Sequence, residues 1–85
     1  MNDDDLRRLH GHLAATAERP LDREANRWLG EAEAVAGQLV DAELDDDVLE
    51  ERLDTVERLL SKVDETGDPE ADDRVASAKA ILDSR

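Results

Sequence analysis

The sequence has no cysteine, phenylalanine or tyrosine, and only two lysines, two prolines and one tryptophan. Without cysteine there is no disulfide framework and no thiolate chemistry. Because alanine supplies twelve of the apolar residues, a hydrophobic core has to be built mainly from leucine and valine. A core of 85 residues has little room for an enclosed ligand pocket, which typically needs about 300 Å³ or more. We therefore expect a non-enzymatic protein without a small-molecule ligand.

No apolar run reaches the roughly 20 residues that span a membrane. The amino-terminal stretch MNDDDLRRLHG is too polar for a signal peptide, so we expect a soluble, cytoplasmic chain with no membrane partner. The formal net charge of −13 at pH 7 would repel phosphate backbones. Nucleic acid is therefore not expected as a partner.

The kind of charge is as informative as its sum. Aspartate and glutamate total 24 against 11 lysine and arginine residues, and only Lys62 and Lys79 are lysines. Short, hydrated carboxylates with few lysines suit a protein in molar salt, where the Debye length falls to about 3 Å and self-repulsion is screened. The composition favours a salt-adapted protein over an ordinary acidic one.

Apolar residues recur at alternating spacings of three and four along nearly the whole chain, which indicates amphipathic helices rather than acidic disorder. Helix boundaries follow from capping residues: Asn2, Asp22 and Asp68 are N-caps, and Gly67 is the residue that ends the third helix. Pro69 suits a first helical position. The sequence predicts one domain, residues 1–85, with helices over residues 3–18, 23–43, 46–66 and 69–83.

The predicted fold is all-α: a small antiparallel four-helix bundle made of two helical hairpins. The boundary that the sequence marks least clearly lies between the second and third helices, because no glycine or proline separates them. Asp45–Asp47 favours a break there, and Leu44 and Leu49 have the spacing of a hydrophobic staple around it. A continuous helix would instead give the alternative fold, a dimer built on one long helix per chain.

Sites for metal or cofactor are not expected. His10 and His12 point about 200° apart on a helix, so they cannot hold one ion together. The acidic stretch DETGDPEADD, residues 64–73, has Pro69 where a calcium loop requires glycine, and a turn followed by a cap explains it better. No nucleophile, phosphate loop or dinucleotide motif accompanies these residues. We predict no catalytic residues, no metal and no cofactor.

The stretch WLGEAEAVAGQLV, residues 28–40, contains two glycines inside a strong helix. Gly30, Ala34 and Gly37 lie on the far side of that helix from Trp28, which we interpret as a core anchor. Each glycine costs a helix about 0.8–1 kcal/mol relative to alanine. A strip without side chains would let another helix approach closely, although an exposed face also tolerates small residues without any function. The candidate interface is Gly30, Ala34 and Gly37 with Arg27 and Asp41 at its rim.

The segments PLDREANR, WLGEAEAVAGQLV and TGDPEADD together resemble those of short, acidic, uncharacterised proteins of haloarchaea. The resemblance covers most of the chain and rests on composition and short helical segments. It implies a small helical fold in a salt-rich cytoplasm, and it brings no activity and no functional residues.

Two functions are compatible with these features. The first is a protein–protein interaction or structural module that binds another protein or a second copy of itself. The alternative is an acidic inhibitor or decoy that masks a basic, nucleic-acid-binding partner, motivated by the net charge of −13.

Overall fold

Four helices and no strands make up the computed structural model, which describes residues 1–85. The helices are α1 (Asp3–Thr16), α2 (Arg23–Leu39), α3 (Asp46–Leu60) and α4 (Pro69–Asp83). Each helix packs on the next, and α1 also packs on α4, so the four form a closed ring in which α3 and α4 touch least. The predicted four-helix bundle is confirmed. The alternative of one long helix per chain is excluded because α2 and α3 are separate helices.

Helix α1 runs antiparallel to both of its neighbours, α2 and α4, as ion pairs at the two ends of the bundle show. Arg7 near the start of α1 pairs with Asp41 just beyond α2, and Arg19 just beyond α1 pairs with Asp68 just before α4. The bundle measures 36 × 20 × 19 Å. No helix is long and apolar enough to cross a bilayer.

The core consists of leucine, valine and alanine with one isoleucine, close to the composition expected from a chain without phenylalanine. The largest fully buried side chains on the helices are leucines, two from each of three helices: Leu9 and Leu13, Leu29 and Leu39, Leu53 and Leu60. Helix α4 contributes smaller side chains, such as Val75 and Ala78. Trp28 is only partly buried against this core, so it does not form the centre of the core.

Two of the three predicted N-caps form their cap hydrogen bond. Asn2 accepts from the Asp5 N–H at 2.8 Å, and Asp68 accepts from the Ala71 N–H at 2.9 Å. Asp22 occupies the N-cap position of α2 but accepts no such bond. Its carboxylate instead lies against Gly67, where an added Cβ would be 2.7 Å from Oδ1.

Helix α2 ends at Leu39, four residues before the predicted end at residue 43. Val40 is extended, and Asp41 adopts the left-handed conformation with φ of 61°. Asp41 is a residue type that tolerates this region, and its Oδ1 accepts a hydrogen bond from Arg7 at 2.6 Å. The early end of α2 is therefore associated with the contact between Asp41 and Arg7 of α1. The sequence around residues 39–43 does not show this contact.

Helix α3 ends at Leu60, and the prediction that it continues to residue 66 is wrong. Ser61 donates its hydroxyl back to the Arg58 carbonyl at 2.6 Å, which competes with helix continuation. The chain then runs across the end of the bundle while Val63 and Thr66 stay buried. Gly67, with φ of 84°, is consequently not the residue that ends α3; it belongs to the turn that starts α4.

Candidate interaction face

The two histidines face different helices. The imidazole of His10 lies against Gly37 of α2, where an added Cβ would be 3.1 Å from Nε2. His12 Nδ1 lies 3.3 Å from Arg74 Nη1 of α4. Partial burial, followed by the charges of Arg74 and Arg8, lowers the pKa of His12, so the ring is neutral near pH 7. The rings do not converge, and no group of three or more His, Cys, Asp or Glu residues is placed to hold a metal ion.

Hydrogen bonds of the acidic stretch at residues 64–73 connect the loop before α4 to the loop before α2. Arg19 donates two hydrogen bonds to Asp68, at 2.9 and 3.0 Å. The buried hydroxyl of Thr66 donates to Asp72 at 2.8 Å, and the Thr66 carbonyl accepts from the Asp22 N–H at 2.7 Å. Hydrogen bonds from the Arg19 guanidinium and then the Ala71 N–H lower the pKa of Asp68. These polar groups satisfy each other within the chain.

The predicted strip of small residues is divided by the structure. Gly30 and Ala34 are exposed, and a Cβ added at Gly30 would have no atom within 4 Å. Gly37 is half-buried under the ring of His10. The expectation that Gly37 faces away from the rest of the bundle is therefore wrong: this glycine lets α1 approach α2.

The two predicted rim residues also differ. Arg27 lies over the Trp28 ring at 4.7 Å from its centroid, and Lys62 from beyond α3 lies over the same ring at 5.1 Å. Asp41 is occupied in part by its ion pair with Arg7, although its side chain remains 69% exposed. The side chains of Arg27 and Lys62 thus place two positive charges over the only aromatic ring of a strongly acidic protein.

Helices α2 and α3 pack on each other and together present a surface larger than the predicted strip. We call it the α2–α3 face and define it by the outward positions of the two helices and the turn after α3: Arg27, Ala34, Gln38, Asp47, Glu51, Arg58 and Lys62, all exposed. Gly30 and Asp41 lie on the α1 side of α2, since Gly30 is close in rotation to Gly37 under His10 and Asp41 pairs with Arg7. Leu44 and Val48, exposed by 39% and 36%, are the two exposed large hydrophobic residues of the chain. They lie in the connection and first turn between these same two helices.

Sequence reasoning missed Leu44 and Val48 as surface residues of the folded chain. Leu44 was assigned to a staple with Leu49, yet only Leu49 packs against the core. The signal was present in the sequence, because Val48 falls outside the apolar stripe of Leu49, Leu53, Val56 and Leu60. The break between α2 and α3 therefore does not bury the apolar residues around it.

The fold defines the class of the molecule: a compact, all-α four-helix bundle. The chain belongs to the family described as a domain of unknown function (DUF8152), whose model matches residues 5–85. No curated protein and no solved structure matches the chain.

Proposed function

We propose that this protein is a non-enzymatic helical module that works by protein–protein contact through the α2–α3 face. The observation that carries the proposal is the exposure of Leu44 and Val48, the two exposed large hydrophobic residues of the chain, where α2 connects to α3. Single exposed hydrophobic residues are ordinary. Two large ones only four positions apart form a surface that gains from being covered.

The small residues of α2 extend the exposed surface from Ala34 toward α1. Gly30 lowers helix stability by about 0.8–1 kcal/mol relative to alanine, and no contact within the chain requires its missing side chain. Gly37 is different, because the space above it is filled by His10. Gly30 and Ala34 therefore remain as the part of the predicted strip on which a second helix could lie closely.

The charges around this surface would select the partner and its orientation. Arg27, Arg58 and Lys62 form no ion pair within the chain, although acidic residues outnumber basic ones by 24 to 11. Exposed rim charges contribute more to specificity and association rate than to affinity. The cations are thus available to carboxylates of another molecule.

The proposal places this module in a salt-rich cytoplasm of the haloarchaeal type. Support comes from the net charge of −13 and the two lysines, together with a surface on which nearly all carboxylates are exposed. In molar salt the repulsion between two such acidic bodies is screened within about 3 Å. Protein contact then depends on short-range complementarity rather than on net charge.

The function is tested by photo-crosslinking in the native host, with a benzophenone amino acid at position 34. The matched control carries the same group at Gly11, an exposed α1 position that also has no atom within 4 Å of an added Cβ. We expect position 34 to give a discrete crosslinked protein adduct and position 11 to give none. Equal labelling from both positions, or no adduct from position 34, would contradict the proposed function.

A further inference from the structure

We infer that the occupant of the α2–α3 face is a second copy of this chain, related by a two-fold axis that crosses both helices at right angles. The inference rests on the proposed function and names its partner. In this arrangement α2 lies antiparallel on the partner's α2, and α3 lies antiparallel on the partner's α3. A two-fold interface requires each patch to be complementary to itself, and the charges of α3 and the turn after it meet that condition.

Helix α3 and its end carry a charge pattern that inverts about one midpoint. Asp47 and Lys62 are equally distant from the point between residues 54 and 55, and Glu51 and Arg58 are equally distant from the same point. Antiparallel packing about that point places Asp47 against Lys62 and Glu51 against Arg58, twice each. All four contacts join opposite charges.

These four residues have no ion-pair partner in their own chain. The acidic residues on the side of α3 that faces α4 do have one. Glu50, Asp54 and Glu57 all pair with Arg85, at 3.0, 2.9 and 3.0 Å. The helix thus has one side whose charges are satisfied within the chain and one side whose charges of both signs are not. The second side is the one on the α2–α3 face.

Helix α2 does not repeat this inversion, because Asp41 lies beyond its end and pairs with Arg7 of α1. What α2 contributes is Ala34, a small exposed residue in its middle part. A small residue at the centre of a helix pair permits a short interaxial distance, at the lower end of the usual 8–10 Å.

A single axis requires Ala34 and the α3 midpoint to lie at similar heights along the bundle. The ammonium of Lys62 lies 5.1 Å from the centroid of the Trp28 ring, which places the first half of α2 beside the end of α3. Because the two helices are neighbours of similar length, the middle part of α2 with Ala34 then lies beside the middle of α3. One axis can therefore relate both pairs of helices.

The same axis brings the apolar residues together. Trp28 lies at one end of the seam between α2 and α3, and Leu44 and Val48 lie at the other end. The two-fold operation places Trp28 of one copy over Leu44 and Val48 of the second. A partly buried tryptophan flanked by arginine has the composition of an interface anchor.

Charge also selects this axis over the other one available to a flat face. An axis parallel to the helices would stack α2 on the partner's α3 and place the like charges of Arg27 and Lys62 beside each other. Since each copy carries −13, we expect assembly to require screening salt.

The test is a charge exchange on α3, read as molar mass by light scattering in about 1 M KCl. The wild-type protein is expected at twice 9.4 kDa. Glu51→Arg alone and Arg58→Glu alone each create two like-charge contacts, so dissociation constants should rise tenfold or more. An equimolar mixture of the two variants restores all opposite-charge contacts and should return to the dimer mass. Asp83→Arg, an equal charge change on an exposed α4 position, should remain dimeric.

A second measurement uses the absence of cysteine. Ala34→Cys introduces the only thiol of the chain and places it on the axis, so mild oxidation should give a covalent dimer, while Gly11→Cys should not. A monomeric wild type, a mixture that stays monomeric although both variants are helical, or equal disulfide formation at positions 11 and 34 would overturn the inference. If the wild type is monomeric but position 34 crosslinks to a different protein, the proposed function stands and the self-association does not.

Discussion

Glycines in this chain have three different environments, which sequence alone does not separate. Gly67 has a left-handed backbone and lies against Asp22, Gly37 lies under His10, and Gly11 and Gly30 face open space. Three of the four have only polar or small residues on either side, and Gly30 follows Leu29. What distinguishes them is which neighbour the tertiary fold brings near.

We expect Gly67→Ala to lower the free energy of unfolding by about 1 kcal/mol or more, because alanine is strained at positive φ. Its Cβ would also be 2.7 Å from Asp22 Oδ1, in a loop tie that joins two connections. Gly11→Ala is the matched control and should raise stability by up to about 1 kcal/mol, since it only improves helix propensity. Chemical denaturation followed by circular dichroism measures both, and equal effects of the two changes would contradict this assignment.

At the scale of elements, starts of helices were more predictable than ends. Asn2 and Asp68 cap through their own side chains, so the residue type carries the information. The ends of α2 and α3 involve contacts with distant residues: Asp41 with Arg7, and the Val63 carbonyl with Lys79 at 3.2 Å. Capping rules describe three or four adjacent residues and cannot include such partners.

The same limit applies to the candidate interface. Periodicity correctly placed Gly30 and Ala34 on the outside, because that depends only on the rotation of α2 about its own axis. It could not show that Gly37 meets His10, which depends on how α1 and α2 are rotated relative to each other. Periodicity also could not show that charged residues of α2 and α3 share one surface, because it does not tell which helices are neighbours.

The start of α4 gives the bundle an acid-sensitive tie. The pKa of Asp68 is lower in the folded chain than its ordinary value, first through the hydrogen bond from Arg19. A depressed carboxyl pKa contributes stability that is present above the unfolded pKa, about 3.9, and is lost as pH falls through the folded pKa. The melting temperature of the wild-type protein should therefore fall as the pH is lowered below about 4.

Asp68→Asn should reduce this acid dependence. Asparagine is as good an N-cap as aspartate, so α4 should still form, but the charged pair with Arg19 is lost at every pH. We expect a lower melting temperature than wild type at pH 7 and a smaller difference at pH 3. Asp83→Asn on exposed α4 surface serves as control and should follow the wild type; a constant difference from pH 3 to pH 7 would contradict the role of the Asp68 charge.

For the whole molecule, size and charge together determine the response to salt. At 0.01 M salt the Debye length is about 30 Å, which exceeds the 20 and 19 Å widths of the bundle. Every carboxylate then experiences the repulsion of the full −13. In molar salt the same charges interact only with immediate neighbours.

We therefore expect helix content and thermal stability to fall when KCl is lowered from about 2 M to 0.01 M. Far-UV circular dichroism is the deciding measurement, because Trp28 emission also responds locally to Arg27 and Lys62 over its ring. Sucrose stabilises folded chains by exclusion from their surface but screens no charge, so as the control it should restore less helix than KCl at matched osmolarity. A spectrum that is unchanged at 0.01 M would contradict salt adaptation.

The ring order of the helices has a kinetic consequence. Helices α2 and α3 adjoin in sequence, but α1 and α4 are joined only by closing most of the chain, with Arg19 and Asp68 separated by 49 positions. Loop closure over such distances costs entropy before the contacts that reward it exist. Long-range closure slows folding even where all secondary structure is local. We therefore expect a pair of helices that are adjacent in sequence to form first, and the meeting of the first and last helices to be the slow event that completes the bundle.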